Sequence, residues 1–256
     1  MIHRMLLRPT ARLRSAARAV VATAALAALV AATGEPALSA PLPLGVTGGA
    51  PAGARNDRVG ALFLGGADGG HFCTASVVRS DDRNLIATAA HCLERPQETW
   101  FAPGYRDGEA PYGLWRVTAA YTAPSWESAE DPDTDIGFAT VAPVDGREIE
   151  DVLGGFPLQA AQSDRVAVTV VGYPASRESP LTCTNTTRLW SGTQREIDCP
   201  ALSGGTSGSP WLTASGKLAG VLGGHEGGGT VPEVSYSAVL GGAALELYRR
   251  AAVSGG

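Results

Sequence analysis

Three short motifs along the chain contain the residue types needed for nucleophilic catalysis by a serine. They are ATAAHC at 87–92, DTDIGF at 133–138 and SGGTSGSP at 203–210. A serine hydroxyl is a weak nucleophile unless a base removes its proton, an acid orients that base and N–H groups stabilise the oxyanion that forms. The motifs therefore predict His91 as the base, Asp135 as the orienting acid and Ser207 as the nucleophile.

The residues around each candidate support its role. His91 follows an apolar stretch and adjoins a cysteine, which would hold the imidazole in place, as a general base requires. Asp135 directly precedes apolar residues, so its carboxylate can lie at the edge of a core, where it needs a donor such as an imidazole N–H. Asp131 and Asp133 are alternatives for this role. Glycines flank Ser207 and allow the backbone to turn its N–H groups inward.

The first 40 residues have the composition of a secretory signal peptide. Residues 1–18 carry five arginines and no acidic residue, residues 19–33 form an uncharged apolar run, and small residues follow. An uncleaved N-terminal anchor is the alternative, although the run is shorter than the roughly 20 residues that span a membrane. We predict a signal peptide at 1–40, a secreted, extracellular protein and no stable membrane association after cleavage.

Composition restricts the class of the remaining chain. Residues 41–57 have little apolar content and are predicted to be a propeptide or a flexible lead-in, which leaves a domain at 58–256. The chain of 256 residues has 20 Lys+Arg against 25 Asp+Glu and no basic cluster after the first 20 residues, which argues against nucleic acid as a partner. Its 33 glycines and 17 prolines, with few long periodic runs, favour an all-β fold.

Short apolar runs separated by turn residues predict strands in both halves of the domain. These predicted strands are 59–64, 73–78, 85–89, 115–121, 165–173, 187–191, 209–213, 218–222 and 234–238. Residues 240–253 place Leu240, Ala244, Leu247 and Ala251 on one face, which predicts a C-terminal helix. Many short strands without strand–helix alternation indicate a barrel or a sandwich.

The cysteines give a further constraint. The sequence has four of them, Cys73, Cys92, Cys183 and Cys199. An even number in an exported chain favours two disulfides, and four cysteines allow three pairings. A zinc site would need ligand pairs such as Cys-x-x-Cys, which are absent from the sequence. We therefore predict two disulfides, no metal and no cofactor.

The order His91, Asp135, Ser207 and the residues around each of them resemble the chymotrypsin-like, or trypsin-like, serine proteases over most of the predicted domain. The resemblance implies two packed six-stranded antiparallel β-barrels, residues 58–150 and 151–256, with the site in the cleft between them. On this basis we expect a secreted, monomeric serine endopeptidase that acts on protein or peptide substrates.

The resemblance also assigns roles to individual residues. Ser207 would attack the scissile carbonyl and form an acyl-enzyme, His91 would carry the proton, and Asp135 would orient His91. The N–H groups of Gly205 and Ser207 would bind the oxyanion. A Cys73–Cys92 disulfide would match the one that the family has beside its histidine.

Within the family, GTSGSP at 205–210 is similar to the bacterial glutamyl-endopeptidase branch. That branch selects acidic residues with a threonine and a histidine, whose positions hold Leu202 and Leu222 here. The trypsin branch selects basic residues with an aspartate, whose position holds Ala201. The resemblance therefore implies an uncharged, apolar primary specificity pocket.

Three departures from the family pattern affect the expected activity. Thr206 replaces the aspartate that pairs with a freed N-terminal amine in the trypsin branch, so activation by that ion pair is not expected. Gly223 replaces a serine that supports the catalytic aspartate in many relatives, and His225 replaces a glycine along which substrate backbone pairs.

Two other functions stay open: a protease-like module that only binds a partner, and an esterase of the α/β-hydrolase class. The esterase would need Gly-x-Ser-x-Gly with the serine first in chain order.

Overall fold

The computed structural model describes residues 43–253 except for 68, 160–162 and 164, so the predicted signal peptide at 1–40 lies outside the described residues. The strands are β1 (Val46–Gly49), β2 (Val59–Leu64), β3 (His71–Val77), β4 (Leu85–Thr88), β5 (Thr99–Pro103), β6 (Trp115–Tyr121), β7 (Gly137–Val141), β8 (Ala167–Gly172), β9 (Leu181–Thr186), β10 (Arg188–Leu189), β11 (Gln194–Asp198), β12 (Pro210–Thr213), β13 (Leu218–Val221) and β14 (Val234–Ala238). The α-helices are α1 (Pro124–Ala129), α2 (Ile149–Leu153) and α3 (Gly242–Ala252). These elements confirm a mainly β fold with a C-terminal helix. Among the described residues, no helix is long and apolar enough to cross a membrane.

Six strands form a closed antiparallel barrel in the first half of the fold. Their order is β2-β3-β4-β7-β6-β5, with β5 paired back onto β2. Successive side chains of a strand face opposite sides, so every second residue can point into the barrel. The interior is filled by large apolar residues such as Leu62, Ile86, Phe101 and Trp115. Closure fixes β4 beside β7, and the predicted base and acid lie at the ends of these two strands.

The second half of the fold contains two further antiparallel sheets. One has five strands in the order β1-β9-β8-β12-β13, and the other has three strands in the order β10-β11-β14. Gly223 N donates a hydrogen bond to Tyr236 O (2.9 Å), which links the chain beyond β13 to β14. Val168, Ile197 and Trp211 pack in the core of this half. The two β units together have the arrangement expected of a chymotrypsin-like fold.

Apolar residues from both halves meet in one core. Val59, Phe63 and Tyr105 of the first half pack in the same cluster as Tyr173 and Leu212 of the second. The apolar face predicted for the C-terminal helix is buried in this cluster as well. The two halves are therefore held against each other by buried apolar surface as well as by the polar contacts described below.

The segment predicted to be a propeptide or flexible lead-in contains a paired strand. β1 pairs with β9 in antiparallel register along its whole length, and Gly45 N donates to Asp198 O (2.8 Å). Residues 46–49 are therefore part of the five-stranded sheet. Removal of this segment as a propeptide stays a prediction.

Candidate active site

The predicted base and acid lie at one edge of the closed barrel and contact each other. Thr88 of β4 is opposite Gly137 of β7, so the residues just after β4 and just before β7 leave the sheet side by side. His91 lies in the single turn Ala90–Leu93 after β4, and Asp135 precedes β7. His91 Nδ1 is 2.8 Å from Asp135 Oδ2, and the backbone N–H of His91 donates to Oδ1 (3.1 Å). The carboxylate thus holds both the ring and the backbone of His91.

The contact assigns the ring proton of His91. Asp135 is 1% exposed, and a buried carboxylate needs hydrogen-bond donors. We therefore place the proton of neutral His91 on Nδ1, which leaves Nε2 as the basic nitrogen. Asp131, an alternative for the acid, instead accepts a bond from Asp133 N (3.0 Å) and caps its own turn.

A backbone N–H from the second half of the fold takes the place of the expected serine hydroxyl. Gly224 N donates to Asp135 Oδ2 (2.7 Å). A Cβ at Gly223 would lie 2.7 Å from the same oxygen, so the Asp135 carboxylate occupies the space that a side chain would need. Gly224 has φ +83° and ψ −128°, a conformation that glycine adopts without strain. The Gly223 departure therefore leaves Asp135 with a different donor rather than with none.

Thr74 of β3 fastens the loop that carries Ser207 to the first half of the fold. Thr74 N donates to Ser207 O (2.7 Å), and the Thr74 hydroxyl donates to Gly205 O (3.0 Å). The same hydroxyl accepts a bond from Tyr173 N (2.9 Å). Thr74 is fully buried and follows Cys73, whose disulfide partner adjoins His91. These contacts bring the loop of the predicted nucleophile and the turn of the predicted base to the same part of β3, at Cys73 and Thr74.

Ser207 is half-buried and lies close to the turn that carries the base. A Cβ at Gly208 would lie 3.0 Å from Ala89 N, two residues before His91. Within the described part of the chain, no hydrogen bond joins Ser207 Oγ to His91 Nε2. Such bonds are often long before substrate binds and shorten in the reacting complex.

The N–H groups predicted to bind the oxyanion are free to do so. Gly204 O accepts a bond from Ala175 N (2.7 Å), and in a trans peptide the following N–H points the opposite way. Neither Gly205 N nor Ser207 N donates a hydrogen bond to another described residue. Gly205 has φ +96°, and a Cβ there would lie 2.6 Å from Tyr173 O, so this position requires glycine.

Ala201, Leu202 and Leu222, predicted to form the primary pocket, line one cavity of about 300 Å³. The rest of its lining comes from residues 203, 204, 206 and 227–232, and none of the described lining residues is charged. The described lining therefore offers no charged partner to an acidic or a basic side chain. A larger cavity of about 380 Å³ lies at the start of α3, and its lining includes Asp131 and Asp133 but not Asp135, His91 or Ser207.

Aromatic side chains surround His225, the second departure near the substrate cleft. Its ring lies 4.8 Å from that of Tyr236 and 5.4 Å from that of Trp190, which is 51% exposed. His225 N donates to Gln194 Oε1 (3.3 Å). Trp126 of α1 lies on the other side of the site, with its ring 6.4 Å from that of His91. The backbone N–H of His225 is therefore already engaged with a side chain of this protein.

Both disulfides are present. They join Cys73 to Cys92 and Cys183 to Cys199, and the first is the pairing that the resemblance implied. The Cys73 and Cys92 sulfurs lie close to the His91 ring. Because they are bonded to each other, they offer no thiolate to a metal ion. Disulfides are typical of proteins that work in an oxidising compartment.

The sequence matches a known family over the region that contains these residues. Residues 73–221 match the trypsin-like peptidase domain. This match covers more than half of the chain and includes His91, Asp135 and Ser207, so the chain belongs to the trypsin-like peptidase family. By class it is a serine-type endopeptidase.

Solved structures agree with this assignment. The protease Anisep from Arthrobacter nicotinovorans is 26% identical with a TM-score of 0.70, over 81% of this chain and 99% of that chain. The thermostable serine protease AL20 from an extremophilic microorganism is 25% identical with a TM-score of 0.69, over 79% of this chain and 100% of that chain. A Glu endopeptidase, 17% identical with a TM-score of 0.65 over 80% and 95%, shares the fold. A search of curated protein sequences gave no match.

Sequence reasoning did not identify three residues that shape the site. Thr74 had a usable signal, since it lies in an apolar strand beside a predicted disulfide cysteine. Gly224 is one glycine among 33, and it acts through its backbone. Gln194 lies in a polar stretch whose burial the sequence does not indicate.

Proposed function

We propose that this protein is a secreted serine endopeptidase that cleaves peptide bonds with a Ser207–His91–Asp135 triad. The observation that carries the proposal is the buried Asp135 carboxylate, which binds His91 Nδ1 and leaves Nε2 available as a base. Secretion is supported by the composition of residues 1–40 and by the two disulfides.

The reaction follows from the roles of these groups. Ser207 Oγ attacks the scissile carbonyl carbon while its proton passes to His91 Nε2, and the N–H groups of Gly205 and Ser207 bind the resulting oxyanion. The imidazolium then gives the proton to the leaving amine, the C–N bond breaks, and an ester to Ser207 remains. Water attacks this ester with His91 again as the base. Asp135 stays ionised throughout and stabilises the imidazolium.

The primary pocket sets the residue before the scissile bond. Its walls include Ala201, Leu202 and Leu222 and carry no charge among the described lining residues. A buried ionised substrate side chain would therefore lack a partner, which costs several kcal/mol in an apolar site. We propose that the enzyme prefers uncharged apolar residues there over Glu or Arg.

The deciding experiment is intact-mass analysis after treatment with a fluorophosphonate. This reagent forms a covalent adduct only with an activated serine. We expect one adduct on the wild type and none on Ser207→Ala or His91→Ala. The matched control is Ser215→Ala, which removes an exposed serine in the turn between β12 and β13, eight residues from the nucleophile, and should label like the wild type.

Activity and specificity are then measured with a peptide library. Ser207→Ala or His91→Ala should lower turnover by about 10⁶-fold, because the serine and the base act as a unit. Absence of an adduct on folded, disulfide-bonded wild type would contradict the proposed triad. Cleavage mainly after Glu or Arg would contradict the proposed pocket and leave the triad intact.

A further inference from the structure

We propose that Gln194 is a positioning residue of the catalytic site, which holds the Gly224 N–H against Asp135 and thereby keeps Asp135 fixed on His91. The inference rests on the proposed triad and adds a residue to its support. Gln194 is the first residue of β11, in the second half of the fold, and its side chain reaches the loop that carries Asp135 in the first half.

The need for such a residue comes from the backbone that supports Asp135. Gly224 N donates to Asp135 Oδ2 (2.7 Å), and this donor can point correctly only while φ and ψ of Gly224 are held near +83° and −128°. Two consecutive glycines, Gly223 and Gly224, have no side chain to restrict them, and glycine has the widest choice of conformations. A serine hydroxyl would be fixed by its own rotamer, but this N–H must be fixed by neighbours.

The Gln194 amide hydrogen-bonds to residues next to both partners of this hydrogen bond. On the side of Asp135, Nε2 donates to Pro132 O (2.7 Å) and to Asp133 Oδ1 (2.9 Å). On the side of Gly224, Oε1 accepts from His225 N (3.3 Å). A Cβ at Gly224 would overlap this same oxygen, so the amide lies directly against the glycine. The Gln194 side chain, which is 3% exposed, thus bridges the loop that carries Asp135 and the segment Gly224–His225.

The chemistry of the amide explains why glutamine suits this position. A primary amide offers two N–H donors and a carbonyl acceptor, and here both donors face the Asp135 loop while the acceptor faces the glycine segment. A glutamate of the same shape would place a carboxylate against Asp133 Oδ1 and Pro132 O. A methionine would fill the space without any hydrogen bond and would leave buried groups unpaired.

The main test compares Gln194→Met with a matched control. Asn185→Leu also removes a side-chain amide that donates to two carbonyl oxygens, Pro43 O (2.9 Å) and Asp198 O (2.8 Å), at a distance from the triad. The substrate is a single-residue N-acyl ester. It is chosen because it lacks the longer backbone that is expected to pair at His225. We expect Gln194→Met to lower kcat about 10- to 100-fold with KM within about twofold of wild type, because displacement of a catalytic group by about 1 Å has this effect on rate. The control should keep the wild-type kcat.

A second readout does not depend on activity. The proton between His91 Nδ1 and Asp135 Oδ2 should give a far-downfield ¹H NMR resonance in the wild type. We expect it to broaden or disappear in Gln194→Met and to persist in Asn185→Leu. If the wild type does not hydrolyse the ester, the proposed function fails, while this resonance still decides the role of Gln194.

Charge-swap variants keep the test decisive if Gln194→Met does not fold. Gln194→Glu should lose kcat through repulsion with Asp133. Adding Asp133→Asn, at an exposed position, restores an N–H donor across the contact and should recover kcat severalfold. A wild-type kcat and resonance in folded Gln194→Met, or no recovery in the double variant, would overturn the proposal.

Discussion

Replacing Gly205 by alanine should remove one oxyanion donor while keeping all three side chains of the proposed triad. At Gly205, φ is +96°, and a Cβ would lie 2.6 Å from Tyr173 O and overlap Ala175 N. The peptide between Gly204 and Gly205 must therefore move. In the wild type, the hydrogen bond from Ala175 N to Gly204 O fixes the direction of the Gly205 N–H. The movement of the peptide breaks this bond.

The size of the effect follows from the two contributions that the structure identifies. Loss of one oxyanion donor lowers kcat by about 10²- to 10³-fold, which corresponds to about 3–4 kcal/mol of transition-state stabilisation. A non-glycine residue in the left-handed region also lowers the free energy of unfolding by about 1–2 kcal/mol, and the clash of its Cβ lowers it by about 1–3 kcal/mol more. The protein should therefore remain folded while its turnover is nearly lost. KM should change little, because the oxyanion forms only in the transition state.

The assay measures kcat and KM for an ester and an amide substrate, together with urea unfolding. Gly204→Ala is the matched control, because a Cβ at Gly204 meets no atom within 4 Å and its φ is not in the left-handed region. Gly204 lines the primary pocket, so its new methyl group can change KM, but we expect Gly204→Ala to keep the wild-type kcat because the oxyanion donors stay in place. The reasoning is refuted if folded Gly205→Ala has a kcat within about threefold of Gly204→Ala, a change far smaller than loss of an oxyanion donor causes.

Three further predictions concern the acid, the pocket and alkaline pH. Asp135→Asn should lower kcat about 10⁴-fold, because an amide does not hold the Nδ1–H tautomer of His91. A decrease of less than about tenfold in steady-state assays would contradict that role. Ala201→Asp, at an exposed position with φ +66°, should raise the ratio of kcat/KM for arginine over leucine substrates by at least about tenfold, and an unchanged ratio would place the primary pocket elsewhere. Burial and the neighbouring Glu178 raise the pKa of Tyr105 from 10.0 to about 12. The folded state therefore disfavours ionisation of Tyr105. The contribution of this residue to the free energy of unfolding should be fully present below pH 10 and be lost as the pH rises towards 12. Tyr105→Phe should reduce this loss in urea titrations, and an equal loss in both proteins would contradict the assignment.

Local sequence was sufficient for the strands whose side chains alternate or are uniformly apolar. Residues 59–64 and 115–121 were predicted as strands and form β2 and β6. β11 was missed because its sequence, QREID, reads as an exposed segment although every residue is buried. Its Glu196 and Asp198 are paired with Arg188 on the neighbouring strand. Cross-strand pairing of this kind cannot be recognised from hydrophobic pattern, because the partner is set by the fold.

The same distinction applies to the site. His91 and Ser207 lie in local motifs whose neighbours indicate their role, so the sequence predicts them. Gly224 supports Asp135 through its backbone, across 89 positions of the chain. A main-chain N–H is present in almost every residue, so residue type carries no signal for it. Such supporting groups become visible only when the packing of the two halves is known.

The anchoring of the nucleophile loop by Thr74 has a consequence for how the enzyme loses activity. The anchor belongs to one β unit and the loop to the other, joined by bonds of 2.7 Å and 3.0 Å. A small separation of the units would break both bonds while each unit kept its own sheets. On gentle warming, turnover should therefore disappear before the circular dichroism of the strands changes. Enzyme activity would then report on the docking of the two β units before any strand is lost.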